Sequence, residues 1–233
     1  MGFSLPIHEG CHALLLPKRL ASTVKFLDLT MLAADMGMQE LRQHHPDVHN
    51  FLPEELQSEM VFDLVICDGQ VLRTQHLPSY REVREARRLI VTQLALGLQH
   101  IRPGGTMVIL LRKVEAWETI LTLRLFSKMS TMALFKPGKY HAKRSSFYLV
   151  AKNIVTEHPN ARPAIDEWKR RWTLATFGSQ EELDGLIRGR KETLPGVLGA
   201  FGPELIQHGE AVWEVQANAL SKADFIHHES ASS

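Results

Sequence analysis

Phe62-Asp63-Leu64-Val65-Ile66-Cys67-Asp68-Gly69 is the stretch from which the fold is read. Leu64, Val65 and Ile66 form an unbroken apolar run, the pattern of a strand buried on both faces, and Gly69 stops it. Downstream, Val83, Ala86, Ile90, Leu94, Leu98 and Ile101 recur at spacings of three and four, which predicts a long helix over residues 80–101. Arg102-Pro103-Gly104-Gly105 ends that helix, because Pro cannot continue it and Gly allows the reversal. Residues 106–111 follow as another apolar strand, and 114–129 as a further helix. Two closely spaced strands, 132–135 and 146–151, flank the turn Lys136-Pro137-Gly138 and predict an antiparallel hairpin.

Upstream, residues 24–29 read as a short strand ending at an acid, and 3–6 as a shorter one. Buried strands alternating with helices imply an α/β sheet, mostly parallel and covered on both faces. Beyond Asn153 the character changes. Pro159, Pro163, Trp168, Trp172 and Trp213 punctuate a polar, helical region, and Gly196, Gly199 and Gly202 mark a loop-like stretch within it. The expected organisation is a domain over residues 1–153 and a helical extension over 154–233, with a frayed, disordered end at 227–233.

Composition narrows the function. The 233 residues carry 27 Lys+Arg against 26 Asp+Glu, a net charge of +1, which excludes a globally basic nucleic-acid binder but not a local basic patch. Two cysteines, Cys11 and Cys67, cannot build a disulfide framework, so the expected setting is reducing: cytoplasmic or nuclear, with no targeting signal. The longest charge-free apolar stretch, residues 89–101, is too short and too polar to span a bilayer. Cys67, within a strand, reads as a small core residue rather than a nucleophile. His44, His45 and His49 have no accompanying Cys or carboxylate pattern, and Pro46 breaks the helix a metal site would need. They read as a polar loop, and no metal is expected there.

In a doubly wound sheet, ligands sit at the carboxyl ends of strands. Asp28 and Asp68 stand at such ends. A carboxylate there can accept hydrogen bonds from a ribose hydroxyl or an adenine amino group. It can equally cap the turn that follows, where Asp is also favoured.

These segments resemble the FtsJ-like RNA 2'-O-methyltransferases of the class I, Rossmann-type fold. Residues 62–69 look like the family's fourth strand with its catalytic Asp. Leu94-Ala95-Leu96 and Ile101-Arg102-Pro103-Gly104-Gly105-Thr106-Met107-Val108 look like the following helix, turn and fifth strand. Lys136-Pro137, Arg144-Ser145 and Tyr148-Leu149-Val150-Ala151 look like the terminal hairpin. The resemblance covers roughly residues 24–153. It implies S-adenosylmethionine as cofactor and RNA as partner. It makes Asp68 the Asp of a Lys-Asp-Lys-Glu tetrad and places Asp28 and Leu29, with Asp68 and Gly69, against the cofactor.

The sequence also departs from that family. An ungapped alignment puts Leu110 at the second tetrad Lys; Lys113 lies three residues later and would serve only if the strand is longer or shifted. Ser146 occupies the tetrad Glu position. No Gly-x-Gly occurs anywhere, although the family's first strand ends in such a turn. The expectation is an N-terminally incomplete methyltransferase domain lacking its first strand, with unpaired strand edges left behind.

Lys136, Lys139, Lys143 and Arg144, with Tyr140 and His141, form the densest basic stretch and are the expected RNA contacts. A solvated hairpin loop would carry lysines too. Arg81, Arg84, Arg87 and Arg88 interleave with Glu82 and Glu85 and read as a salt-bridged helix face. Two functions follow. Asp28 and Asp68 favour a methyltransferase acting on a ribose hydroxyl. Ser146 and the missing glycines favour a catalytically inactive module that binds RNA or protein. A nicotinamide-dependent oxidoreductase would need a Gly-rich fingerprint that this chain lacks.

Overall fold

The computed structural model describes residues 1–10, 17, 23–40, 43–72, 75, 77–188 and 193–223. Its elements run in the order β1 (Gly2–Ser4), β2 (Val24–Phe26), β3 (Phe62–Cys67), α1 (Ser79–His100), β4 (Ile101–Arg112), α2 (Trp117–Met129), β5 (Thr131–Phe135), β6 (Ser146–Lys152), α3 (Ala161–Phe177), α4 (Gln180–Arg188) and α5 (Leu194–Leu220). Parallel strands alternating with helices, closed by an antiparallel hairpin, give the Rossmann-like α/β architecture that the resemblance implies. The expected frayed end at 227–233 and Cys11 lie outside the described residues.

The chain forms two compact units. One comprises Met1–Val61, Gly69–His100 and Arg162–Gly189; the other comprises Phe62–Asp68, Ile101–Ala161 and Arg190–Ser233. The helices after residue 154 are therefore shared out, α3 and α4 to the first unit and α5 to the second.

In the first unit β1 and β2 pair in parallel, Gly2 opposite Val24 and Ser4 opposite Phe26. The core is built where α1 meets the 3₁₀ turn at Leu29–Met31. Leu32, Leu94, Ala95 and Leu98 are buried there, and Trp172 of α3 is fully buried with its indole N–H donating to the Thr30 carbonyl at 3.0 Å. That bond satisfies the indole's polar edge while the ring fills the core.

In the second unit four strands stand in the order β3-β4-β6-β5. β3 and β4 are parallel, with Cys67 opposite Ile109; β6 runs antiparallel to both β4 and β5. Residues of one face, Met107, Ile109, Leu111, Phe147, Leu149 and Ala151, are all buried, and α2 and α5 pack with β5. Gly209 of α5 is required by close approach: a Cβ there would meet the Trp213 ring at 2.9 Å and Val114 at 3.1 Å.

Three expectations are corrected. β3 is not buried on both faces: Leu64 and Ile66, two residues apart and so on the same face, are 53% and 63% exposed, and that face carries no covering layer among the described residues. The strand after the Pro-Gly-Gly turn begins at Ile101 and takes that turn into itself, with the pairing register shifting between Phe62 and Leu64 to accommodate it. Gly196, Gly199 and Gly202 are helical, inside α5, whose N-terminus Thr193 caps through a hydrogen bond from the Gly196 amide. The 27-residue run of α5, which buries Val197, Phe201, Leu205 and Val212, outweighs glycine's low propensity at those sites.

Candidate active site

Asp28 ends the segment after β2. Its Oδ1 accepts from the Thr30 amide at 2.9 Å and from the Thr30 hydroxyl at 2.8 Å, so it caps the 3₁₀ turn. Its Oδ2 accepts from Arg81 Nη2 at 2.5 Å. Arg81 also bonds Glu85, at 3.0 Å and 2.6 Å, and Arg88 bonds Glu85 at 3.0 Å. Arg81, Glu85 and Arg88 are buried. The salt-bridged helix face expected of α1 is present, with Arg81 and Arg88 both pairing with Glu85, but it is buried, while Glu82 and Arg87 are exposed. Burial opposes the Arg81 charge, yet its bonds to Glu85 and Asp28 outweigh it and hold the guanidinium above its ordinary value. Burial pushes Arg88 the other way, down.

This geometry bears on the cofactor. A carboxylate has about four lone-pair sites, and Thr30 and Arg81 take three at Asp28. Its side chain is 16% exposed, so one edge stays open to a hydroxyl or amino group beside half-buried Leu29. The set fits an adenosine contact of that limited kind. Gly69 is held by its own neighbour: its amide donates to Gln93 Oε1 at 2.8 Å, Gln93 returns a bond to its carbonyl at 3.1 Å, and a Cβ would strike Gln93 at 2.9 Å. The glycine is therefore explained by Gln93.

In the second unit, Asp68 follows β3 and is exposed. Cys67 pairs with Ile109 and Leu110 pairs with Tyr148, so Asp68, Leu110 and Tyr148 stand in one row across the sheet. Tyr148 reaches across the Leu110 position, and its hydroxyl donates to Asp68 Oδ1 at 3.2 Å. Partial burial, with the negative charge and hydrogen bond of Asp68, raises the Tyr148 phenol above its ordinary value. The His141 ring meets Tyr148 edge-on, centroids 5.7 Å apart, and His141 Nδ1 lies 2.7 Å from Ser146 Oγ. Asp68, Tyr148, His141 and Ser146 thus form one chain of contacts at the carboxyl end of β3.

The residues expected to complete a tetrad stand differently. β4 runs to Arg112, opposite Ser146, one residue further than expected but with no shift against β6. Leu110 therefore stands beside Tyr148 in the row with Asp68. Lys113 is exposed just past the strand, in the left-handed region at φ 50°, its amide bonded to the Ser145 carbonyl at 2.9 Å. Cys67 is buried, and burial pushes its thiol up to about 12, as befits a core residue.

The hairpin loop divides in two. Lys139, Lys143 and Arg144 are exposed, Tyr140 is 74% exposed, and the Lys139 ammonium stands 5.2 Å from the Tyr140 ring centre. Lys136 departs from expectation. It is buried, and its ammonium donates to the carbonyls of Arg144 at 2.5 Å and Ser146 at 2.8 Å, with burial lowering its pKa. Two backbone acceptors claim it, so it pins the loop from inside rather than facing a phosphate.

His45 packs against Phe51 and Phe177, 5.4 and 4.9 Å between ring centres, and contacts the Thr176 carbonyl at 3.1 Å. No group of three or more His, Cys, Asp or Glu suited to a metal ion occurs among the described residues. Among those residues, too, no helix is long and apolar enough to cross a membrane.

Sequence reasoning missed Tyr148 and Arg81 as site residues and placed His141 only in the RNA-contacting loop. The signal for Tyr148 is positional: it is two residues after Ser146 and so on the same strand face, which side-chain alternation provides. The pairing of Arg81 with Asp28 spans 53 positions and leaves no local trace.

No curated protein matches the chain significantly. The model of the FtsJ-like methyltransferase family matches residues 18–154, more than half of the chain, and it spans Asp28, Asp68, the Pro-Gly-Gly turn and the β5–β6 hairpin. On the strength of that match and of the Rossmann-like strand order, the chain belongs to the FtsJ-like methyltransferases.

Proposed function

We propose that this chain is a methyltransferase domain that places the ribose 2'-hydroxyl of an RNA at Asp68. S-adenosylmethionine supplies the electrophilic methyl group in such chemistry. The protein's part is to bind, orient and manage one proton. Asp68 carries the reading: it is an exposed carboxylate at the end of a parallel strand, with one oxygen held by Tyr148 and the other turned to no side chain among the described residues. A hydroxyl seated there would be aligned by a single preset acceptor, and alignment supplies much of the rate in such a transfer. Within the first unit, Arg81 fixes the direction of the Asp28 carboxylate, and Asp28 with Leu29 is proposed as an adenosine contact. Lys139, Lys143 and Arg144 would follow the RNA backbone, and Tyr140 would stack on a base.

A second reading is supported by Leu110 and Ser146, which put an aliphatic and a neutral side chain where the family carries Lys and Glu. Under it, the domain binds RNA without transferring methyl groups. The separating experiment incubates the chain with labelled S-adenosylmethionine and single-stranded RNA. Label in the ribose, lost in Asp68→Ala, supports the transferase. RNA binding without label in any RNA supports the module.

A further inference from the structure

A hydroxyl that accepts a methyl group must lose its proton, and a carboxylate that is ionised and exposed is a weak base for that purpose. The lysine position of the row is Leu110, and Lys113 stands past the strand end with its amide tied to Ser145. Tyr148 touches Asp68, but its phenol is pushed up and holds its own proton. One ring further lies His141, whose imidazole is the side-chain type most often used as a general base. Its Nδ1 is fixed by Ser146 Oγ at 2.7 Å, and its ring edge is fixed by Tyr148. When Nδ1–H donates to Ser146, Nε2 is left as an acceptor.

We propose that His141 is the base of this site and that Ser146 is its positioning residue. The inference rests on the transferase reading above. The acceptor hydroxyl, seated on Asp68, gives up its proton to His141 Nε2. The O–H bond breaks, its electron pair stays on the oxygen that takes the methyl group, and the imidazolium leaves its proton to water. Ser146, at the position where a Glu is expected, then has a function of its own: its hydroxyl holds the ring in place and accepts from Nδ1–H in the tautomer that leaves Nε2 free. The charged and titratable groups around His141 are Asp68 beyond Tyr148, Tyr148 itself, Lys136 on the Ser146 carbonyl, and Arg144, whose amide donates to the His141 carbonyl at 3.0 Å.

The test uses the full chain with His141→Asn, which keeps a polar atom near the Nδ1 position but removes Nε2, alongside Ser146→Ala. Methyl transfer to RNA should fall at least about 100-fold in His141→Asn, and the acid limb of the wild-type pH–rate profile should disappear with it. Ser146→Ala should lower kcat with KM for RNA unchanged. A second measurement needs no turnover. The His141 Nε2 resonance, followed by nitrogen NMR, should respond to a single-stranded RNA but not to the same RNA fully 2'-O-methylated. A wild-type rate and profile in His141→Asn overturns the inference and leaves the transferase reading standing. So does a silent Nε2 resonance under bound RNA. A wild-type chain that binds RNA yet transfers no methyl group overturns both.

Discussion

Arg81 Nη2 lies 2.5 Å from Asp28 Oδ2 and 2.6 Å from Glu85 Oε1, so one guanidinium neutralises two carboxylates from different parts of the first unit. Arg88 repeats the pairing with Glu85 from one turn further along α1. The strand-end acid and the long helix are thereby joined by charge, in a region where water cannot screen it.

Removing that guanidinium leaves Asp28 and Glu85 without their shared partner. Arg81→Met should destabilise the fold by about 3–5 kcal/mol, the cost of breaking a buried pair from one side. Urea unfolding at neutral pH measures it. A variant as stable as wild type would mean that the network contributes no net stability.

Asp68 is exposed and bonded to Tyr148 alone among the described residues. Asp68→Ala should therefore leave stability within about 0.5 kcal/mol, the usual range for surface substitutions. Its effect should fall on methyl transfer to RNA, with a loss of at least about 100-fold. Thermal unfolding and a labelled-methyl assay on the same sample separate the two effects.

The hairpin loop should split in the same way. Replacing Lys139, Lys143 and Arg144 together by Ala should weaken RNA binding and flatten the slope of log affinity against log salt by about 2 for a single strand. Lys136→Met should leave that slope unchanged. It removes the donor from two carbonyls instead and should cost about 1–3 kcal/mol of stability. Equal slopes in the triple variant and wild type would remove the loop from the interface.

The Cys67 thiol, with its pKa raised by burial from 9.0 to about 12, should resist alkylation until the chain unfolds. A Cys11→Ser variant isolates its signal. The sign of the pH effect follows: the unfolded thiol ionises near its ordinary value while the folded one does not. Stability is thus fully present below about pH 9 and declines as the pH climbs toward 12. Alkaline unfolding of Cys67→Ala, measured against the Cys11→Ser parent, should lack that part of the decline.

Much of the fold was legible because it is periodic. The heptad-like recurrence from Val83 to Ile101 gave α1, and the apolar runs gave β3, β4 and β6. What could not be read was pairing over distance. Whether Leu64 and Ile66 face a neighbour depends on what lies over β3, not on the residues themselves. The helical state of Gly196, Gly199 and Gly202 depends on the apolar face that α5 buries, which tertiary packing decides over propensity. The candidate site was half visible. Asp68 announced itself as an acid closing an apolar strand, whereas Tyr148 and His141 belong to it only through the antiparallel register of β6, and Lys136 looked like a surface cation until its loop was closed around it.

Among the described residues β3 pairs along one edge only, with Leu64 and Ile66 exposed on it, a template onto which another extended chain can add. What guards it are acids at both ends: Asp63, 2.5 Å from Arg102, and Asp68. Charges in such flanking places oppose stacking of identical strands. The carboxylate assigned to chemistry thus also governs colloidal behaviour, and neutralising Asp63 and Asp68 together should lower the concentration at which the protein stays dispersed.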